Sequence, residues 1–190
     1  MINVPCRFYS EAVWKTIHYR TKGVELSPAW YQLKRGDATI SDYTGRMLKK
    51  LAHLFKPKLV YEVGTYTGRS ASAMMEGMDG GHIHTCDATH DLFQSQGIIQ
   101  FFRGMSTEMF NSPHEKADFI FLDGRLPADD LPHIMRLSHP DTVIAFDDFE
   151  VIEKGIANAM LLQGLGKLIV VPEPGETLAL MLPKIGLSRQ

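Results

Sequence analysis

The chain has 190 residues, 44% of them apolar and 22% charged, which fits one globular domain and excludes disordered, collagen-like and coiled-coil classes. Its 20 Lys and Arg stand against 22 Asp and Glu, a formal charge of −2 with no basic stripe or acidic tail, so neither nucleic acid nor an anionic membrane is the expected partner. No apolar run approaches the ~18–20 residues of a membrane helix, the start lacks the basic-then-apolar build of a signal peptide, and Cys6 with Cys86 suits neither a disulfide scaffold nor a metal site, so a cytoplasmic location is expected.

Residues 1–57 hold both tryptophans (Trp14, Trp30) and the tyrosines Tyr9, Tyr19, Tyr31 and Tyr43 in patterns that suit short helices, expected near 7–19 and 41–55 as a cap or lid. The sheet-forming core is expected over 58–190. From Lys58 onward, short apolar runs alternate with helical patterns. The runs are Leu59–Val63, Ile83–Asp87, Ile98–Phe102, Ala117–Asp123 and Thr142–Asp147, then Leu168–Val171 and Leu178–Leu182. Runs so short and apolar read as strands buried on both faces, with helical stretches at Ser70–Met78, Ala128–Leu137 and Phe149–Leu162 between them. Right-handed crossovers then give an α/β, doubly wound, mostly parallel seven-stranded sheet. Only Pro172–Thr177 separates the last two runs, too short a link for a parallel crossover, so they form a C-terminal antiparallel hairpin.

Open α/β sheets bind ligands at the carboxyl ends of their strands. That selects the turns Glu62–Arg69, Asp87–Asp91, Arg103–Glu108, Asp123–Pro127, Asp147–Val151 and Pro172–Thr177, and it sets aside His53, His82, His114 and His139 as structural or exposed. After the first strand, Glu62 precedes a G-x-x-x-G turn made by Gly64 and Gly68, which opens a helix. The glycines admit a ligand close to the backbone, and the helix start offers free N–H groups. A pyrophosphate site would want G-x-G-x-x-G. A carboxylate at Glu62 repels a pyrophosphate and suits a ligand with an ammonium group. The plain alternative is a strand–helix turn that merely needs glycine. Asp87, closing the second strand, can accept both hydroxyls of a ribose, or can simply cap the next helix.

On these residues the chain resembles the class I S-adenosylmethionine-dependent methyltransferases, from about Ser41 to Pro183. The resemblance implies a Rossmann-like sheet and a cofactor held by Glu62, Gly64, Thr65, Tyr66, Gly68 and Ser70 at its methionine end. It further implies Asp87 at the ribose, Gly104, Met105 and Ser106 at the adenine, and Ala88 and Asp123 among the cofactor-binding residues. His90 either flanks the adenine or is a solvated surface histidine. The link from Asp87 to the third strand leaves room for barely two helical turns around His90–Ser95, which opens the adenine side.

Asp123 ends the fourth strand and Asp147-Asp148 the fifth, and these strand ends are neighbours in this topology. Carboxylates converging at a buried rim must be protonated, paired or coordinated. An all-oxygen set suits Mg²⁺, or alternatively Ca²⁺ or Mn²⁺. The pattern is similar to the metal-dependent O-methyltransferases, which implies Asp123, Asp147 and Asp148 as metal ligands. The Asp-Asp pair resembles the macrocin-type sugar enzymes more than the catechol type, as do Gly36-Asp-Ala and Thr44–Leu48. The alternative is that Asp147 and Asp148 cap and favour the helix starting near Phe149.

The resemblance implies methyl transfer from a sulfonium to a hydroxyl of a small molecule, a sugar or an aromatic diol, with Asp123, Asp148 and Arg125 in catalytic roles. Catechol-type enzymes carry a lysine three residues after the fourth-strand Asp, where this chain has Leu126. Arg125 cannot accept a proton, so it either steers an anion, stabilises an alkoxide, or is an exposed turn residue. The base is then Asp148 or a metal-bound oxygen, unless His18 swings in from the lid. Trp14, Trp30 and Tyr31 belong to that lid or are ordinary packing residues. Rival readings are a metal-independent small-molecule methyltransferase, a non-catalytic S-adenosylmethionine-binding protein and, lowest, an NAD(P)-dependent reductase. Met74, Met75, Met78 and Met160 either fill the core or pave the contact of a homodimer, as the resemblance implies.

Overall fold

The computed structural model describes residues 11–111 and 115–183. Seven strands, β1 (Leu59–Val63), β2 (His82–Asp87), β3 (Ile99–Arg103), β4 (Ala117–Leu122), β5 (Ser138–Phe146), β6 (Leu168–Val170) and β7 (Ala179–Leu182), form one sheet in the order β3-β2-β1-β4-β5-β7-β6. β1 to β5 pair in parallel, while β7 runs antiparallel to both β5 and β6. The expected doubly wound sheet with its terminal hairpin is therefore present. Because β1 pairs with both β2 and β4, strand order reverses between β1 and β4, and a crevice opens there at the carboxyl ends.

The helices are α1 (Glu11–Arg20), α2 (Pro28–Tyr31), α3 (Asp42–Phe55), α4 (Arg69–Gly77), α5 (Ser106–Asn111), α6 (Asp130–Leu137) and α7 (Ala157–Leu162). Side chains alternate across a strand, so each strand feeds two cores. Val60, Ile83, Ile99, Phe119, Phe121, Val143 and Ala145 face the side where α1, α3 and α4 supply Trp14, Ile17, Leu48, Leu51 and Met74. Tyr61, Cys86, Ile120, Leu122, Ile144 and Phe146 face the other side, with Phe110, Ile134 and Leu162 from α5, α6 and α7. This two-sided burial is why the strands read as continuous apolar runs.

α3 is delimited by local chemistry. The Ser41 hydroxyl accepts the Thr44 N–H at 3.0 Å, Asp42 stands in the first turn, and Lys56 closes the helix in the left-handed conformation ahead of Pro57. The N-terminal segment is fastened rather than hinged. The Trp14 indole donates to the Val171 carbonyl at 2.8 Å and the Trp30 indole to that of Arg69 at 2.9 Å, while the Arg69 guanidinium lies 3.7 Å over the Trp30 ring. His18 and the Tyr43 hydroxyl both bind the Glu173 carboxylate in the β6–β7 turn. Trp14 and Trp30 are thus packing residues, each 1% exposed, and His18 is held at the hairpin instead of reaching the site.

Three expectations change. Residues 88–98 contain no helix: Asp87 ties down the N–H groups of Thr89 and His90, and Phe93 alone fills the space, its ring against Gly68 and edge-on to Phe101. The stretch after β5 begins with a π-helical turn, Ile152–Ile156, before α7, and neither Asp147 nor Asp148 caps it. β5 starts at Ser138 instead of Thr142. Met74 is core and Met160 is exposed. His53 and His82 are exposed, His139 pairs with Asp118 at the amino end of the sheet, and His114 lies outside the described residues, as do 7–10 of the first expected helix.

Candidate functional site

The turn after β1 is folded onto its neighbours. Gly64 (φ 101°) donates to the Cys86 carbonyl at 2.9 Å, and a Cβ there would press on the Asp123 backbone at 3.1 Å, so only glycine lets the β1 and β4 ends come this close. Tyr66 adopts φ 45°, a conformation that bulky residues rarely take and that costs on the order of 1 kcal/mol or more. The Tyr66 N–H donates to Asp87 Oδ2 at 2.9 Å, and its ring meets His90 edge-on at 4.8 Å. These contacts aim the phenol over the crevice.

With no helix following β2, Asp87 caps a turn instead. Its Oδ1 accepts the N–H groups of Thr89 (2.9 Å) and His90 (2.8 Å) and the Thr89 hydroxyl (3.1 Å), while Oδ2 takes only the Tyr66 N–H. Burial works to raise its pKa, but these backbone donors outweigh it and hold the carboxyl below its ordinary value. An ionised Asp87 thus keeps a free lone pair on Oδ2 for a ligand hydroxyl.

A cavity of about 360 Å³ runs along this edge. It gathers Gly64, Tyr66, Asp87, Ala88, Gly104, Met105, Ser106, Asp123 and Arg125, most of the residues expected around the cofactor and methyl group. His90 stands on its rim, and Cys86 lines it with a thiol that burial pushes up to about 12, so it is an inert wall. The remaining expected residues lie deeper. Thr65 and Ser70 are buried behind the turn, and Gly68 supports it from below against Phe93. Glu62 is fully buried on the cap side of β1 and outside the cavity wall; desolvation raises it to about 7, and neither carboxylate oxygen has a hydrogen-bond partner among the described residues. The Ser106 hydroxyl is committed to Asp130 at 2.5 Å, so its position serves the cavity through its backbone. Arg125 is exposed and paired with Glu153 at 2.8 Å, on a turn that borders the cavity.

The acidic rim is arranged differently from the three-carboxylate expectation. Asp147 continues the alternation of Val143 and Ala145 onto the cap face, where its Oδ1 accepts the Thr177 hydroxyl at 2.8 Å and lies 3.4 Å from that of Thr44. Asp148 comes next with φ 47°, half-exposed, and reaches Lys154 with its Oδ2. Among the described residues no group of three His, Cys, Asp or Glu side chains is placed to hold a metal ion. Between Asp123 and Asp148 stands Lys154, its Nζ 2.5 Å from Asp123 Oδ1 and 2.5 Å from Asp148 Oδ2. Burial, then the Asp147 charge, push the Asp123 carboxyl above its ordinary range, while the ammonium acts against both. Burial alone would lower Lys154, but the two carboxylates raise it.

Lys154 and Asn158 had no signal in the sequence, and Ala38 only that of the Gly36-Asp-Ala stretch. Lys154 lines the cavity from a π turn that no periodicity marks, and Ala38 comes from the loop between α2 and α3. The buried Asn158 holds the Asp123–Leu126 turn, accepting the Leu126 N–H at 3.0 Å and donating to the Gly124 carbonyl at 2.8 Å.

No family model matches the chain, and no curated protein does. Solved structures do. The SAH-bound methyltransferase PaMTH1 of Podospora anserina superposes with a TM-score of 0.62 at 15% identity, over 94% of this chain and 97% of that one. A methyltransferase from Geobacter sulfurreducens gives 0.64 at 16% identity, over 93% and 98%. The O-methyltransferase from Bacillus cereus, solved with SAH, gives 0.54 at 19% identity, over 92% of each chain. At such identities the likeness is one of fold, and function has to be argued from the site.

Proposed function

We propose that the protein is an S-adenosylmethionine-dependent O-methyltransferase that acts on a hydroxyl of a small molecule, a sugar or an aromatic diol. One observation carries this reading: a single cavity joins the Gly64–Tyr66 turn, the ribose-competent Asp87 and the Gly104–Met105 turn to a charged end at Asp123 and Lys154. The group fits those residues, since the walls at Val63, Ala88 and Met105 are apolar and the free Oδ2 lone pair of Asp87 suits a ribose hydroxyl. When bound, it would supply an electrophilic methyl on a sulfonium. Asp123, at the β4 end, places negative charge at that end of the cavity. Asp148, half-exposed beside Lys154, is the carboxylate that takes the proton of the acceptor hydroxyl. The fastened cap and the Tyr66 ring keep the geometry fixed, which favours in-line positioning.

A divalent cation does not fit this donor set. The Lys154 ammonium already pairs with Asp123 and Asp148, and Asp147 is turned onto threonine hydroxyls. No step of the proposed reaction is drawn through a metal. Thermal unfolding with S-adenosylhomocysteine or NAD⁺ tests the cofactor. At a hundred times its Kd the adenosyl ligand should add about 2.7 kcal/mol, roughly 5–10 °C for this length, with no shift from NAD⁺. Transfer of labelled methyl to a panel of sugars and diols then tests catalysis. No shift at saturating S-adenosylhomocysteine overturns the reading, and a shift without turnover on any acceptor leaves a binding protein.

A further inference from the structure

We propose that Lys154 supplies, from within the chain, the positive charge that a divalent cation would supply between Asp123 and Asp148, and that its ammonium receives the acceptor oxygen at the end of the cavity. The inference rests on the methyltransferase reading and deepens it. Three independent features place the lysine there. Its backbone lies in a π turn, a wide turn often retained at functional sites, and this turn directs the side chain back towards the strand end it has just left. Gly155 seats the turn: any Cβ there would overlap the Phe149 backbone and the carbonyl oxygens of Asp147 and Asp148, so Lys154 is anchored one residue from a backbone-to-backbone contact. The ammonium has three protons, and Asp123 and Asp148 take two, each at 2.5 Å; the third remains for a ligand, on a side chain that lines the cavity.

The contacts agree with this assignment. Asp123 and Asp148 each give Lys154 one carboxylate oxygen, and Asp147 spends its Oδ1 on the Thr177 hydroxyl. A divalent ion added beside the lysine would have to share oxygens already 2.5 Å from Nζ. The site therefore holds the lysine or the metal, not both.

The test is a Mn²⁺ titration monitored by electron paramagnetic resonance on the full chain saturated with S-adenosylhomocysteine, comparing wild type with Lys154→Met and Lys154→Arg. Wild type and Lys154→Arg should leave the free-ion signal undiminished up to about 1 mM Mn²⁺, and Lys154→Met, which bares the two carboxylates, should bind Mn²⁺ at least tenfold more tightly. Methyl transfer by wild type should be unchanged in excess chelator. Wild type that binds Mn²⁺ with a Kd below about 1 mM overturns the proposal, as does a folded Lys154→Met variant that binds no better than wild type. Should Lys154→Met fail to fold, the wild-type titration and the chelator assay still decide. Calorimetry of the adenosyl ligand on the same samples separates the two readings. No binding to wild type removes the methyltransferase reading itself, whereas adenosyl binding together with Mn²⁺ binding removes only the role of Lys154.

Discussion

Glu62 shows how alternation along a strand decides which way a well-placed residue faces. It precedes the glycine turn, as an acidic residue for an ammonium-bearing ligand should, but alternation along β1 sends it to the cap side with Val60, beneath the turn instead of into the cavity. Its carboxyl is fully buried, and folding raises it from 4.5 to about 7, chiefly by desolvation. Below pH 4.5 it is protonated in both folded and unfolded chains and costs nothing. Between 4.5 and 7 the unfolded chain releases the proton while the folded one retains it, so stability falls with rising pH. Above that the full deficit of roughly 3 kcal/mol applies. Glu62→Gln abolishes this titration. Melting temperatures of the two proteins across pH 4 to 8 should diverge in favour of the variant over that interval and run parallel above it. A difference independent of pH would show that the buried carboxylate stays ionised.

At the scale of elements, α7 and the β4–α6 turn form one unit through Asn158. The turn carries Asp123 and Arg125, and its Leu126 N–H and Gly124 carbonyl are satisfied by that one buried amide. Asn158→Ala leaves both groups without their partner, which should cost about 2 kcal/mol and lower the melting temperature by about 4–8 °C. Met160→Ala, on the exposed face of the same helix, should leave it within about a degree. Equal effects of the two would mean that α7 contributes only by its packing. The strands, the hairpin and the turns at Gly64, Asp87 and Gly104 were legible because each is written locally, as an apolar run ending in glycine or an acid. The Asp123–Lys154 and Asn158–Leu126 pairs were not, because each joins residues about thirty apart with no local pattern, and a π turn breaks the helical period where it would have been sought. The divergence of Asp147 and Asp148 comes from strand alternation, but which face each would take depends on β5 pairing between β4 and β7.

For the molecule as a whole, the question is whether the helical segment before residue 58 and the sheet behave as one unit. We expect one. The core on the cap face runs without a break from Val13, Trp14 and Trp30 through Leu48 and Met74 to Phe121, Ala145 and Leu180. Hydrogen bonds tie it at two places along the sheet, from Trp30 to Arg69 at the start of α4 after central β1 and from Trp14 to Val171 beyond edge strand β6. Freeing the segment would expose two buried indoles and the guanidinium stacked on one of them, a loss of several kcal/mol by the usual cost of uncovering a tryptophan. Both tryptophans of the chain lie in that segment, so their fluorescence reports on it alone, whereas far-ultraviolet circular dichroism reports on every helix and strand. The two signals should trace one coincident transition in urea, and a saturating adenosyl ligand should shift both by the same amount. Fluorescence that changes at lower urea than dichroism would show that the segment opens on its own. It would then behave as a true lid, and the charged end of the cavity at Asp123 and Lys154 would owe its geometry to the sheet and to the π turn after β5.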